Sequence, residues 1–561
     1  MDLKSRSVIQ KKVNDIIISI NSSLKKAIYA LEKSKNKLLI CTKNKKFYGV
    51  LNDGDIRRAI IKGAPTNSKI ISFVNTNAVT VNESVSINEV SKLLSKRVFV
   101  IPVIDSNLNV KNYFSLEDKI NNIGSLSKEV TIVGQGYVGL TLSAILSSVG
   151  YRVYGYDKNK TVIKKLNQKK CPFFEIGLQK YLNNNINKNL FFVDKISDAK
   201  SKNYIIAVGT PVKNKKANLT NLKKSIIEVG QILKGGDLII MRSTLPLGLT
   251  NSLIIPLLEK TSKLKVMKDF SISFAPERTA EGVALKELQT NPQIIGGIDD
   301  ISTERTASIF NNITHSIVRV PNIETAELCK LIDNSYRDHI FAYTNQFIPI
   351  AEKQGLNLSK IIDYVNHGYQ RNNIPKPSPG VGGPCLTKDP WILNNNFKKN
   401  NIKETAVPVA RKINENIIKY VYTKTIKLLK KLKKKKDQVN IFMIGMAFKG
   451  HPETSDYRDS TSLWLLKKFK NKKNISIFDP VISNEELKKI HPNVKSIKSG
   501  FKKCDVVFFL NNHESFQNYK IYDLIKQMNK PCLIVDTWNI LNPIEIKQIK
   551  GVNYWGLGNG E

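Results

Sequence analysis

Along the first 125 residues, short apolar runs alternate with polar turns, and the order occurs twice. LLICT at 38–42, a polar turn at Lys43 to Lys46 and FYGVLNDGDIRRAI at 47–60 read as strand, hairpin, strand and helix. VFVIPVIDSNLNVKNYFSLEDKI at 98–120 repeats that order with its turn at Asp105 to Asn109, and Asp118 falls 63 residues after Asp55. The polar stretch NNIGSLSKE closes this unit and places a boundary near residue 126. From there to about 320, the β-branched runs EVTIVG, YRVYGYD, YIIAVGT, DLIIMRST and PQIIGGID alternate with helical patterns, as parallel βαβ units do. Residues 321–423 change character. ETAELCKLIDNSYRDHIFAYTNQFIPIAEKQG has apolar positions at helical spacing and no strand signal, which predicts a long helix joining two lobes. A second α/β unit over 424–561 carries the strand-like VNIFMIG, ISIFDP, DVVFFLNNH and CLIVDTW.

Composition adjusts this picture in three places. The 561 residues are 41% hydrophobic and 24% charged, which excludes a miniprotein or a wholly disordered chain. The 88 basic against 47 acidic residues give a net charge of +41. Its Lys are scattered, and even the dense run KTIKLLKKLKKKKDQ at 424–438 reads first as a solvated helix face, so a nucleic-acid partner is not expected. The uncharged stretch from Val130 to Tyr151 is interrupted by Gln135, three early glycines and serines; it reads as strand, turn and buried helix, with no membrane insertion. Cysteines at 41, 171, 329, 385, 504 and 532 show no CxxC or Cys/His cluster, which implies no metal site. Together with an N-terminus lacking an apolar signal core, they place the protein in a reducing cytoplasm.

Two motifs carry candidate chemistry. GQGYVG, with Gly134, Gly136 and Gly139, follows a strand and opens an apolar helix, and Asp157 ends the next strand 23 residues after Gly134. Gly134 permits the tight turn, Gly136 the approach of a pyrophosphate and Gly139 close helix–strand packing. Asp157 would accept hydrogen bonds from a free ribose 2′-hydroxyl and repel a 2′-phosphate, which favours NAD over NADP. The second motif is PSPGVGGPCLTKDPW at 377–391, with Gly382, Gly383, Cys385, Lys388 and Asp389. A helix starting at Cys385 would place the thiol among free N–H groups beside Lys388 and lower its pKa, making a nucleophile. An inert structural cysteine is the alternative.

GVGGPCLTKDP, VGTP at Thr210, STLPLG at Thr244, APERTAEG at Glu277 and Glu281, AELCKLIDNSYR at Lys330 and Asn334, and GMAFKG at Lys449 together resemble the UDP-glucose/GDP-mannose dehydrogenase family from about residue 128 to the end, over three quarters of the chain. The resemblance implies an α/β protein with two Rossmann-like doubly wound domains joined by a central helical region. It also implies a homodimer and a four-electron oxidation of a nucleotide sugar's C6 alcohol to a carboxylate, with NAD as oxidant and a thioester on Cys385. Under it, Asp389 accepts the alcohol proton, Lys330 and Asn334 donate to the oxyanion, and Glu277 and Glu281 position substrate and hydrolytic water. Thr210 and Thr244 line the cofactor and water side. Lys388 and Arg458 stand with the cofactor set, and Gly382 and Lys449 with the substrate set. The loop between Lys449 and Arg458 is longer than the family's common form.

The N-terminal repeat resembles a CBS domain pair, an α/β unit whose cleft takes an adenine nucleotide. Ser115 with Asp118 matches its Ser/Thr-x-x-Asp pattern, while Asn52 with Asp55 matches only at the Asp. Asp389-Pro390-Trp391 is the form seen more often in N-acetylhexosamine enzymes of the family, so UDP-N-acetylglucosamine or UDP-N-acetylmannosamine is expected, for surface polysaccharide precursors. UDP-glucose and GDP-mannose are the competitors, since Pro384 stands where many N-acetylhexosamine enzymes have His. A catalytically silent nucleotide-sensing protein and a generic Rossmann reductase are the rival classes; the latter has no need of Cys385.

Overall fold

The computed structural model describes residues 16–34, 38–83, 85, 93, 98–115, 127–469 and 474–560. Contacts divide the chain into two compact units, Met1–Ser127 with Asp299–Arg305, and Lys128–Ile298 with Thr306–Glu561.

In the first unit, β1 (Ile17–Ser19) runs parallel to β2 (Leu38–Lys43), which turns back as β3 (Lys46–Asn52). The second copy repeats this: β4 (Val81–Asn82) is parallel to β5 (Val100–Ile104), and β6 (Val110–Ser115) is antiparallel to β5. Each hairpin has a register shift near its turn. The expected turns are present, Asn44 and Lys45 both taking positive φ and Asp105 accepting the backbone N–H groups of Asn107 and Asn109. Helix α1 (Leu24–Lys33) and helix α2 (Asp53–Ile61) pack Leu24, Ala27, Leu31, Ile56 and Ala59 onto this core.

The second unit holds both large sheets. Its eight-stranded sheet contains β7 (Glu129–Val133), β8 (Arg152–Tyr156), β9 (Leu190–Val193), β10 (Asn203–Ile206), β13 (Leu238–Met241), β14 (Ser271–Phe274), β15 (Gln293–Gly297) and β16 (Ile317–Arg319). The order β9-β8-β7-β10-β13-β14 is fully parallel, with chain crossing from β9 over to β10 beside β7, the doubly wound pattern. β15 adds antiparallel to β14 and carries β16 parallel to itself. A small ribbon, β11 (Val212–Lys213) and β12 (Lys216–Ala217), leaves the carboxyl end of β10. Helix α3 (Tyr137–Ser148) is buried on nearly every side, which explains why its sequence is apolar without a helical stripe.

Helix α4 (Ile323–Asn345) is the long helix expected over the central region. Helix α5 (Asp389–Lys399) and helix α6 (Ala406–Lys431) pack against it. The 424–438 lysine run begins as the last turns of α6, so a boundary drawn at 423/424 falls within that helix. The remaining strands, β17 (Ile441–Ile444), β18 (Ile475–Phe478), β19 (Val506–Phe509), β20 (Cys532–Asp536) and β21 (Val552–Gly556), form a parallel sheet of order β18-β17-β19-β20-β21. The two sheets present their switch points, β7/β10 and β17/β19, where α/β folds bind ligands. No helix among the described residues is long and apolar enough to cross a membrane.

Candidate active site

One cleft of about 800 Å³ collects most of the motif residues. At the β7–α3 turn, Gly134 takes φ +96° and donates its N–H to the Tyr156 carbonyl. Gly136 is the N-cap of α3, with open space where a side chain would stand, so free helix N–H groups face the cleft. A side chain at Gly139 would collide with the Gly134 carbonyl, so this glycine lets helix and strand close together. Asp157 accepts the N–H of Gln135 at 2.8 Å and lines the cleft. These residues fit a dinucleotide: a phosphate cradle with no Cβ in the way, and a carboxylate one strand across.

The same cleft is lined by Thr210, Thr244, Glu277, Glu281, Lys330, Cys385, Lys388 and Arg458. Gly139, Asn334, Gly382, Asp389 and Lys449 are not among its lining residues. Thr210 donates to the Thr244 carbonyl at 2.7 Å, tying the β10 and β13 ends together. Asp389 is fully buried, pairs with Lys388 and accepts the Asn334 amide at 2.6 Å. Gly382 is a close-approach glycine, since a side chain there would meet the Asp459 carbonyl.

Two expectations about the cysteine are corrected. The helix begins at Asp389, four residues after Cys385, because Pro390 is tolerated in a first turn but not in the interior that an earlier start would create. Cys385 lies on the preceding turn, its carbonyl taking the N–H groups of Lys388 and Asp389. Its thiol is open to the cleft and is not acidified: the protein enclosing it and the Asp389 carboxylate push it up, against the pull of Lys388 and Lys330.

The carboxylates differ sharply. Burial pushes Glu277 up, but the Arg242 guanidinium at 2.7 Å and the Thr279 N–H outweigh it and hold its carboxyl below the usual range. Glu281 is pushed up to about 7 by burial and by Asp456, against the pull of Arg458 and Lys449. Lys449 is brought down to about 8, chiefly by burial, and donates to the Glu281 carbonyl at 2.7 Å. Arg458 pairs with Asp456 at 2.5 Å and reaches Glu281 at 3.6 Å, so it does face the cleft despite the long loop before it.

Several contributors carry no motif of their own. Arg411 on α6 is buried against Asp338 of α4 at 2.6 Å and donates to the carbonyls of Leu386 and Val381, bracketing Cys385. The turn of the β11–β12 ribbon puts Lys215 4.2 Å above the Trp391 ring, and its carbonyl takes the Asn395 amide at 2.6 Å. Tyr137 lines the cleft beside the cofactor turn, and Glu175 is buried nearby. A single sequence flags charge and glycine, but not which carbonyl an arginine will find across the fold.

In the first unit, Asp55 forms a capping box with Asn52 and pairs with Arg58 at 2.5 Å, and Ser115 is buried at the end of β6. Asp118 lies outside the described residues.

A doubly wound dinucleotide lobe, a second parallel lobe and a cysteine at the shared cleft define a two-lobed dehydrogenase. Family models describe the same parts: the NAD binding domain of the UDP-glucose/GDP-mannose dehydrogenase family over residues 128–314, its central domain over 324–416 and its UDP binding domain over 442–543. The chain belongs to this family and is an NAD-dependent dehydrogenase acting on a nucleotide sugar. It is 30% identical over 435 residues to a UDP-N-acetyl-D-mannosamine dehydrogenase of Pyrococcus horikoshii, covering 77% of this chain and 99% of that one. A namesake from Methanocaldococcus jannaschii is 31% identical, covering 79% and 98%. Among solved structures, the UDP-D-ManNAc dehydrogenase of Pyrococcus horikoshii aligns with a TM-score of 0.69 over 77% of this chain and 99% of that one, at 30% identity. An NDP-N-acetyl-D-galactosaminuronic acid dehydrogenase of Methanosarcina mazei aligns at 0.65 and 26% identity, over 80% and 98%.

Proposed function

We propose that the protein oxidises the C6 hydroxymethyl of a UDP-N-acetylhexosamine, UDP-N-acetyl-D-mannosamine foremost, to the uronate through a thioester on Cys385. The observation that carries this reading is the single cleft shared by Cys385 and the Gly134–Gly136 turn. The names of the relatives and the Asp389-Pro390-Trp391 sequence support the sugar.

Bound NAD supplies the hydride acceptor for both oxidations. In the first, the alcohol gives up its O–H proton and one C6 hydride; Lys330, beside Glu277 in the cleft, stabilises the developing alkoxide. Asp389 takes that proton through water or Lys388, because its own carboxylate is enclosed by Lys388 and Asn334. The Cys385 sulfur then adds to the aldehyde carbon as its S–H proton passes to the aldehyde oxygen, giving a thiohemiacetal hydroxyl. The thiohemiacetal carbon surrenders the second hydride while that hydroxyl gives its proton to water, leaving a thioester. Water adds to the acyl carbon, its proton passes to Glu281, and the C–S bond breaks with its electron pair returning to sulfur. Glu277, kept ionised by Arg242, orients the sugar. Thr244 and Thr210 shape the cofactor side, and Gly382 keeps the cysteine turn against the 459–460 backbone.

We assign the remaining parts as follows: a CBS pair at 1–125 that takes an adenine nucleotide, the NAD domain at 126–320, the helical and cysteine region from 321 to the end of α6, and the nucleotide-sugar domain after it. The repeated sheet topology supports the first of these. A homodimer through α4 is supported by Ile332, Tyr336 and Tyr343, which share one face of the helix and are 52%, 63% and 47% exposed. Six free cysteines suit the cytoplasm.

The test is absorbance at 340 nm with NAD and a panel of UDP-sugars and GDP-mannose. UDP-N-acetyl-D-mannosamine is expected to be the best substrate, and Cys385→Ser to release no acid. Preference for UDP-glucose would overturn the sugar assignment, and acid release by Cys385→Ser would overturn the thioester.

A further inference from the structure

The peptide that joins Glu281 to Gly282 is held at both ends. Its carbonyl accepts the Lys449 ammonium at 2.7 Å. Its N–H donates both to the Tyr137 hydroxyl and to Glu175 Oε2, each at 2.6 Å. Gly282 has φ +94°, and a side chain there would collide with the Glu453 carbonyl, so only glycine fits this turn. Tyr137 belongs to the cofactor turn, and its ring lies 4.7 Å from that of Phe173, two residues before Glu175. Glu175 is 6% exposed, and besides the Gly282 N–H its carboxylate faces the backbone N–H groups of Ala284 and Leu285 in the first turn of the next helix. A buried carboxylate kept for packing alone is costly. Here it accepts the N–H of the peptide that follows Glu281.

We infer that Glu175 and Tyr137 are positioning residues for Glu281, linking the dinucleotide turn to the acid-releasing step. The inference rests on the reading of Glu281 as the base that hydrolyses the thioester. Both hydride transfers precede that step, so a misdirected Glu281 leaves them intact and strands the acyl group on Cys385.

The experiment uses the full chain with NAD and UDP-N-acetyl-D-mannosamine, rapid mixing at 340 nm and intact mass of the quenched protein. It compares Glu175→Ala, Glu175→Gln, Tyr137→Phe and, as reference, Glu281→Gln. Glu175→Ala is expected to keep the fast first release of two NADH per site and then to turn over about tenfold more slowly, with the acyl adduct visible on the protein. Tyr137→Phe, which keeps the ring packing, should show the same split at about threefold, with KM for both substrates within about twofold. Glu175→Gln retains an acceptor for the Gly282 N–H and should recover most of the rate. If Glu281→Gln accumulates adduct but Glu175→Ala and Tyr137→Phe do not, or if they slow the first NADH release equally, positioning is refuted. If Glu281→Gln itself accumulates none, the reading of Glu281 fails and the inference falls with it. Should Glu175→Ala not fold, Tyr137→Phe decides alone.

Discussion

Glu281 and Lys449 touch through one backbone carbonyl, yet their protonation changes oppose one another. If Glu281 is the hydrolytic base it works only when ionised, so acid release should rise with pH through about 7. As an ammonium Lys449 holds the Glu281 carbonyl more strongly than as a neutral amine, so the rate should fall as pH passes about 8. A kcat profile across neutral pH is therefore expected to be bell-shaped and narrow, and Glu281→Gln should lose its acid limb. Arg411 gives a stability counterpart. Its removal leaves Asp338 buried with an uncompensated charge, and Arg411→Ala should cost about 3–5 kcal/mol in urea unfolding. Motif spacing pointed to Cys385, Glu281 and Asp157, all of which line the cleft. Arg411, Arg242 and Glu175 were not, because each acts on carbonyls or N–H groups that only the folded chain brings near.

At the scale of elements, hydrophobic pattern carried far. The apolar run after GQGYVG became the buried α3, and the spacing over 324–355 became α4 and the short helix after it. The start of α5 shows what glycine and cysteine spacing misses: Pro390 was visible and fixes the helix start, and with it the environment of the thiol. The ribbon between β10 and the helix Thr220–Ile232 was not legible, since two-residue strands have no period to detect. Its Lys215–Trp391 contact joins the cofactor lobe to the helix that follows Cys385. A contact of this type is worth about 0.5–1 kcal/mol. Lys215→Ala should therefore raise KM for NAD by about twofold to fivefold while kcat holds or rises, as measured by steady-state kinetics at saturating sugar.

Across the whole molecule, a repeat, an alternating α/β stretch and a helical stretch follow one another with distinct periods, and the three family models match in order from residue 128 on. Net charge was less informative; the +41 is spread over the chain and marked no partner. If the α4 face joins two copies, Tyr336→Asp should shift the sedimentation coefficient from dimer to monomer. If the N-terminal repeat takes adenine nucleotides, AMP or ATP should give heat on titration into the full chain.

The most direct measurement of the central claim is product stoichiometry with trapping of the intermediate on wild-type protein. With limiting UDP-N-acetyl-D-mannosamine, the account predicts two NADH and one uronate per sugar, and an acyl group on Cys385 in acid-quenched samples. One NADH per sugar with free aldehyde, or uronate formed with Cys385 never acylated, would contradict it.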